Sequence, residues 1–293
     1  MSFNPELIKT EEGRVQLARE VAETLDRDVT EPVPHRDNWN GEKALRDLEC
    51  AVMQTCQLYQ EFADICREAY SLAMNASVRV LLQLGQINGL RRLPETDRPD
   101  NQIPIFFKTA WKSIDELEHS SRKMRLASLW SYHSGIYARV VGNYQLAAES
   151  HERSADIAKT AGDEKTAMIS RFCATVERVN QALVDDSNNV WTMLVEMRKI
   201  GDQLISSLEG MKEDSTAVRW LYFNVPVHRL ISYFWAGQRY DDLDDYRRLD
   251  ELHIYDLEFD KSNKSSIAVT SAIHSWNRVD FKNAFVLAAD VIQ

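Results

Sequence analysis

Apolar residues recur along most of this chain at three- and four-residue spacing, with charged and polar residues between them, the period of an amphipathic α-helix. Pro5, Leu7, Val15, Leu17, Val21 and Leu25 predict a first helix that runs to about Asp26. Residues 27–40, with Pro32, Pro34, His35 and Trp39, read as an irregular connection. From 41 to 74 the positions Leu45, Leu48, Val52, Cys56, Tyr59, Phe62, Cys66, Ala69 and Leu72 predict one long helix, and the apolar run from Val78 to Leu90 predicts another that packs back on it. Three prolines, Pro94, Pro99 and Pro104, then stand among charges and mark a boundary, so the chain divides into an N-terminal helical region, 1–100, and a second helical domain, 101–293. Within the second, helices are expected over 105–119, 121–141, 143–161, 164–184, 189–209, 214–236, 239–254, 265–278 and 280–293. The fold class is all-α.

Composition agrees with that class. Only 10 glycines and 7 prolines occur in 293 residues, and many segments are rich in good helix formers. The formal net charge of -10 argues against a general nucleic-acid or anionic-membrane binder, because such surfaces need clustered Lys and Arg. No apolar run reaches the length of a membrane span, and the first residues lack the pattern of a signal peptide, so a cytoplasmic protein is expected. Cys50, Cys56, Cys66 and Cys173 form no Cys-x-x-Cys pair and read as buried thiols in a reducing compartment. Asn75-Ala-Ser77 and Asn263-Lys-Ser265 match the glycosylation sequon, which carries no meaning in that compartment.

From residue 121 onward the expected helices fall into pairs, with turns near Gly142, Ser187, Gly237 and Val279. In the first pair, small residues at Ser131, Ser134, Gly135 and Ala138 precede Gly142 and Tyr144 at the turn and Ala147 on the second helix. The same order returns at Ala268, Ser271, Ala272 and Ser275, then Val279, Phe281 and Ala284. Small side chains let two antiparallel helices approach closely, and an aromatic at the turn closes the open end of the hairpin. Over about residues 121–293 the chain resembles a tetratricopeptide repeat in its longer-helix form. It departs from that pattern at Ser131 and Ala268, where the family usually carries Trp or Leu, and at His151 and Lys159.

The resemblance implies a right-handed α-solenoid of antiparallel hairpins, preceded here by an N-terminal helical region. It also implies that ligands are held on the concave face by the first helix of each pair. Carried over by position, that face takes Tyr132, His133 and Arg139 from the first pair and Arg171 and Arg178 from the second. The third pair gives His228, Arg229 and Trp235, and the fourth gives Thr270, Trp276 and Asn277. Basic and aromatic groups on a concave face suit an acidic peptide or a C-terminal carboxylate. The competing reading is that these arginines pair with neighbouring Asp and Glu on solvated faces.

Other chemistry is sparse. Glu116-Leu-Glu118-His119 puts a carboxylate and an imidazole on one helix face, but a di-iron site needs a second such pair, and Asp250-Glu-Leu-His253 is a weak match. The acidic run Asp241, Asp242, Asp244, Asp245, Asp250, Glu251, Asp256, Glu258 and Asp260 lacks the central Gly and final Glu of a calcium loop. No nucleotide-binding, nucleophile-elbow or zinc-protease motif occurs. Neither catalytic residues, metal nor cofactor is expected. The tryptophans and tyrosines sit at helical spacing as core residues would, apart from Trp39 in its irregular segment. The function expected is a protein- or peptide-binding scaffold or adaptor without catalysis, whose partner is a protein or an acidic peptide. The alternative is a ligand-sensing regulator whose solenoid changes shape on binding, and a helical-bundle enzyme comes third. The apolar last helix, with Val286, Leu287, Ala288, Val291 and Ile292, is expected either to continue into a longer array or to serve as an interface, such as self-association through that helix.

Overall fold

The computed structural model describes residues 5–30, 45, 48, 49, 52, 58–209, 215–238, 240 and 242–251, and among them every regular element is helical. A 3-10 turn, Pro5–Lys9, is followed by α1 (Glu11–Thr30), α2 (Tyr59–Leu72), α3 (Ala76–Leu90), α4 (Ile103–Asp115), α5 (Ser121–Val140), α6 (Tyr144–Thr160), α7 (Glu164–Val184) and α8 (Val190–Leu208). A short α9 (Ser215–Arg219) runs through a π turn, Trp220–Asn224, into α10 (Val225–Trp235), and α11 (Leu243–Asp250) follows. Neighbouring helices pack in pairs. Contacts divide the chain into two compact units: unit 1 is Met1–Val141 with Asp156–Asp163, and unit 2 is Gly142–Ala155 with Glu164–Gln293.

Unit 1 has one continuous apolar core. Leu17, Ala18, Val21, Ala22 and Leu25 are the buried stripe of α1, and Phe62, Ala63, Ile65, Cys66 and Ala69 that of α2. Helix α3 is buried almost all round. It can approach α2 closely because Gly89 faces that helix: a Cβ there would stand 2.7 Å from the Tyr59 carbonyl oxygen and 3.1 Å from the Ala63 Cβ. The turn between the two helices is tied down from α1, since Asp26 accepts from the backbone amides of Met74 (2.7 Å) and Asn75 (3.0 Å). Asn75 in turn caps α3 by accepting from Ser77 N, so this sequon asparagine is a helix N-cap. The proline-rich segment joins α3 to α4 by hydrogen-bonded turns, and Tyr137 on α5 donates to the Asp100 carbonyl at 3.2 Å. Ile103, Phe107, Ala110 and Ile114 of α4 lie in the same core as α1–α3.

Unit 2 is built on the pair α7 and α8. Phe172, Val176 and Val179 on α7 and Leu194, Met197, Leu204 and Leu208 on α8 are buried, with Trp220, Leu221, Phe223, Val225 and Leu230 from the π turn and α10. Phe172 meets Trp220 edge to face, centroids 6.2 Å apart. In the part of α6 that belongs to this unit, Ala147 is fully buried and the Ser154 hydroxyl hydrogen-bonds the Ser170 hydroxyl of α7 at 3.0 Å.

Several expected elements take a different form. The helix expected over 41–74 is interrupted at Leu58, whose φ of -90° and ψ of 67° are not helical and whose amide bonds the carbonyl of Val52, six residues back. Val15 is exposed rather than part of the α1 stripe. The helix expected over 214–236 widens into a π turn just before Pro226, where the ring removes the donor that an unbroken ladder needs. The one expected over 239–254 shortens to Leu243–Asp250, capped by Asp242, which accepts from Asp244 N at 3.0 Å and Asp245 N at 3.3 Å. Part of the acidic run is therefore a helix start, where carboxylates are favoured. Cys50, Cys56, Trp39 and the two last expected helices, with the second small-residue series, lie outside the described residues.

Candidate functional site

In unit 2 the expected residues separate by environment. Arg171 on α7 is exposed. Arg178, two turns later, is answered by carboxylates on both sides: Glu152 of α6 and, at 3.4 Å, Glu196 of α8. This is the pairing that the competing sequence reading describes. His228 is half-buried and packs its ring against Phe172 at 6.2 Å, whereas Trp235, at the end of α10, is 70% exposed. Trp276 and Asn277 lie outside the described residues.

Arg229, expected from the sequence on a concave ligand-binding face, is 1% exposed and is the bulkiest fully buried side chain described. Its Nη1 lies 3.2 Å from Asp245 Oδ2, and its Nη2 donates to Asp202 Oδ1 at 2.7 Å and to the Arg198 carbonyl at 2.5 Å. Asp245, itself without exposure, also accepts from the Tyr240 hydroxyl and from Arg248 Nη1 at 3.2 Å. Burial alone would lower the Arg229 pKa, but Asp245, Tyr240 and Asp202 outweigh it and hold the guanidinium above its usual range. Burial, then Asp245, pushes the Tyr240 phenol well above its usual range. Helix α8 makes room for this charge at Gly201, where a Cβ would stand 2.5 Å from Arg229 Nη2. Arg229 thus ties α8, α10 and α11 together and is closed off from solvent.

A surface pocket of about 280 Å³ opens on the same unit, lined by Leu183, Asp186, Val190, Trp191, Leu194, Trp235, Ala236 and Gln238. The α7–α8 turn shapes one side of it. Asp186 takes a φ of 47°, a left-handed conformation that Asp tolerates, and Ser187 N bonds the Ala182 carbonyl at 2.9 Å to reverse the chain. Trp191 follows on the first turn of α8, 57% exposed, its ring edge-on to Tyr233 of α10 at 6.3 Å. The apolar side chains of Val184, Val195 and Phe234 are also exposed in these helices. The sequence reading named Trp235, for a concave face, and did not name Trp191, whose position just after the Asp185–Asn189 turn, ahead of the buried stripe of α8, was the available signal.

In unit 1 the expected residues are Tyr132, His133 and Arg139 of α5. Tyr132 and His133 are half-buried with their rings edge to face, and Arg139 is exposed. The structure sets Tyr132 and Arg139 within electrostatic reach of an arginine that the sequence did not single out, Arg91 at the end of α3. Among the described residues no group of three or more His, Cys, Asp or Glu side chains is placed to hold a metal ion, and no helix is long and apolar enough to cross a membrane. Compared with protein-family models, curated proteins and solved structures, the chain shows no match.

Proposed function

We propose that this chain is a cytoplasmic protein- or peptide-binding scaffold of tetratricopeptide type, a right-handed solenoid that holds its partner without catalysis. The observation that supports this reading best is the pocket between α7, α8 and α10, where Trp191 and Trp235 stand largely open to solvent. Clustered exposed aromatics are uncommon on a surface that meets only water, and tryptophan is enriched among residues that dominate binding energy. The partner is a peptide segment that inserts one large apolar side chain between the two indoles. Exposed Arg171, in the same unit, would attract acidic residues of that peptide.

Tryptophan fluorescence provides the test. Peptides carrying one Leu or Phe among Asp and Glu should shift the emission saturably, and the double substitution Trp191→Ala, Trp235→Ala should abolish binding while circular dichroism stays unchanged. Binding of the anchor peptide to the double variant with parental affinity would rule out the pocket. Equal binding of an otherwise identical peptide with Lys in place of Asp and Glu would remove the acidic component.

A further inference from the structure

Arg91 follows the last residue of α3, and it is 8% exposed. Its Nη2 donates to Asn88 Oδ1 one turn back, while its Nε finds no acceptor. No described carboxylate is within ion-pair distance of it. The carboxylate that acts on it from farther away is Glu49, and Glu49 is already paired with Arg92 at 3.6 Å. Arg92 and Arg139 both act on the same guanidinium with positive charge, and Tyr132 is within electrostatic reach of it. On α5 the hydroxyl of Ser131, next to Tyr132 and fully buried, is a second polar atom without a partner.

What sets Arg91 apart is an unfilled Nε on a buried guanidinium that no described carboxylate pairs, and an unmade hydrogen bond inside a protein costs the full desolvation of that group. Nε lies on the edge of the fork that faces planar or tetrahedral anions, and with Nη2 donating to Asn88 it is the donor on that edge that stays open. We propose that this corner of unit 1 binds a small oxyanion, a carboxylate or phosphate group, with Arg91 as the buried anchor and exposed Arg139 as a second positive charge that draws the anion in. The cluster explains itself once an anion is counted: the ligand takes the open Nε donor and supplies the negative charge that Glu49, shared with Arg92, does not. Burial first, then Arg92 and Arg139, lowers the Arg91 pKa to about 9, with Glu49 and Tyr132 working in the opposite direction, and a bound anion would reverse that shift. The site belongs to unit 1, so it does not depend on the tryptophan pocket of unit 2.

The experiment is calorimetry and thermal melting of the full chain with inorganic phosphate, with acetate, and with sodium chloride at matched ionic strength. Saturable binding and a rise in melting temperature in phosphate or acetate, absent in chloride, are expected. Phosphate alone would identify a phosphate group as the ligand, and acetate alone a carboxylate. Arg139→Glu, a change at an exposed side chain, should weaken binding at least tenfold, and Arg91→Lys, which keeps the charge and removes the fork, should do the same. Equal melting temperatures in all three salts would overturn the proposal, as would parental affinity in both variants. The Trp191→Ala, Trp235→Ala protein should bind the anion as the parent does, which separates failure of this site from failure of the peptide pocket.

Discussion

Among the described residues each unit buries one arginine, and the two are treated in opposite ways. In unit 2, Arg229 is met by Asp245, Asp202 and a main-chain carbonyl, and its charge is held firmly. In unit 1, Arg91 has one neutral hydrogen bond and no ion pair among the described residues, and its charge is disfavoured. Both leave Nε without a partner, so the difference lies in the carboxylates. A charge taken out of water must be repaid by opposite charge and hydrogen bonds close by. Unit 2 repays it within the chain, and the chain of unit 1 does not. The first pattern belongs to architecture, and the second to a place where something else is expected to bind.

The largest effect should come from breaking the completed network. Asp245→Asn keeps the shape and removes the charge that faces Arg229, Tyr240 and Arg248. Loss of one partner from a buried pair costs about 3–5 kcal/mol. Urea unfolding of the variant should show that loss, and a midpoint equal to the parent's would mean that Asp202 alone holds Arg229. Next in size is Gly201→Ala, whose added Cβ would meet the pinned guanidinium of Arg229. Overpacking of this kind costs about 1–3 kcal/mol. If Gly201→Ala instead stabilises, as it would in an unobstructed helix, then Arg229 is free to move aside.

Much of the helical layout could be read in advance, and the reasons are local. Expected helices over 121–141, 143–161, 164–184 and 189–209 differ from α5–α8 by a residue at most at each end. Gly142 with a φ of 79° and Asn143, which accepts from Leu146 N, mark a stop and a start that any reader of the chain sees. The break at Leu58 was not legible, because apolar spacing continues across it. Nor was the role of Arg229. Its register matched a ligand-facing position, and the acids that claim it, Asp202 and Asp245, lie 27 and 16 residues away in sequence. A hint existed in its setting, a cation inside the run Val225-Pro-Val-His-Arg-Leu-Ile231, opposite a helix that carries Gly201 at its middle. The Arg91 site was illegible for the same reason, since Leu90-Arg-Arg-Leu93 reads as the ordinary basic end of a helix.

A smaller effect, of opposite sign, is expected at Arg91. In anion-free buffer, Arg91→Met removes a charge that burial disfavours, so stability at pH 7 should be unchanged or rise by about 1 kcal/mol or more. The sign follows from linkage. The folded-state pKa, about 9, lies below the unfolded value, so between these values the unfolded chain binds more protons and the parent gains stability as pH rises. The advantage of Arg91→Met should therefore be full below about pH 9 and fade above it, which unfolding curves of both proteins at pH 8 and pH 10.5 would reveal. A constant difference across that range would mean that Arg91 stays fully charged in the fold. In phosphate or acetate, whichever binds, the order of the two stabilities should invert, because only the parent holds the anion.

The finest test uses the thiols, of which each unit buries one described example: Cys66 in unit 1 and Cys173 in unit 2. Burial, then Glu49, raises the Cys66 pKa well above its usual value, and a thiol reacts as its thiolate only where reagent can reach it. Both should therefore resist alkylation in the native state at pH 8 and react in urea. Labelling mapped by mass spectrometry then reports how often each neighbourhood opens. Asp245→Asn should speed labelling of Cys173, which shares unit 2 with the Arg229 network, and leave Cys66 at the parental rate. Anion binding at Arg91 should do the reverse, slowing Cys66, whose sulfur packs 3.0 Å from the Cβ position of Gly85 on the helix that leads to Arg91, without changing Cys173. Equal acceleration of both thiols by Asp245→Asn would show that the two units open as one, and the contrast between their arginines would then concern a single cooperative body.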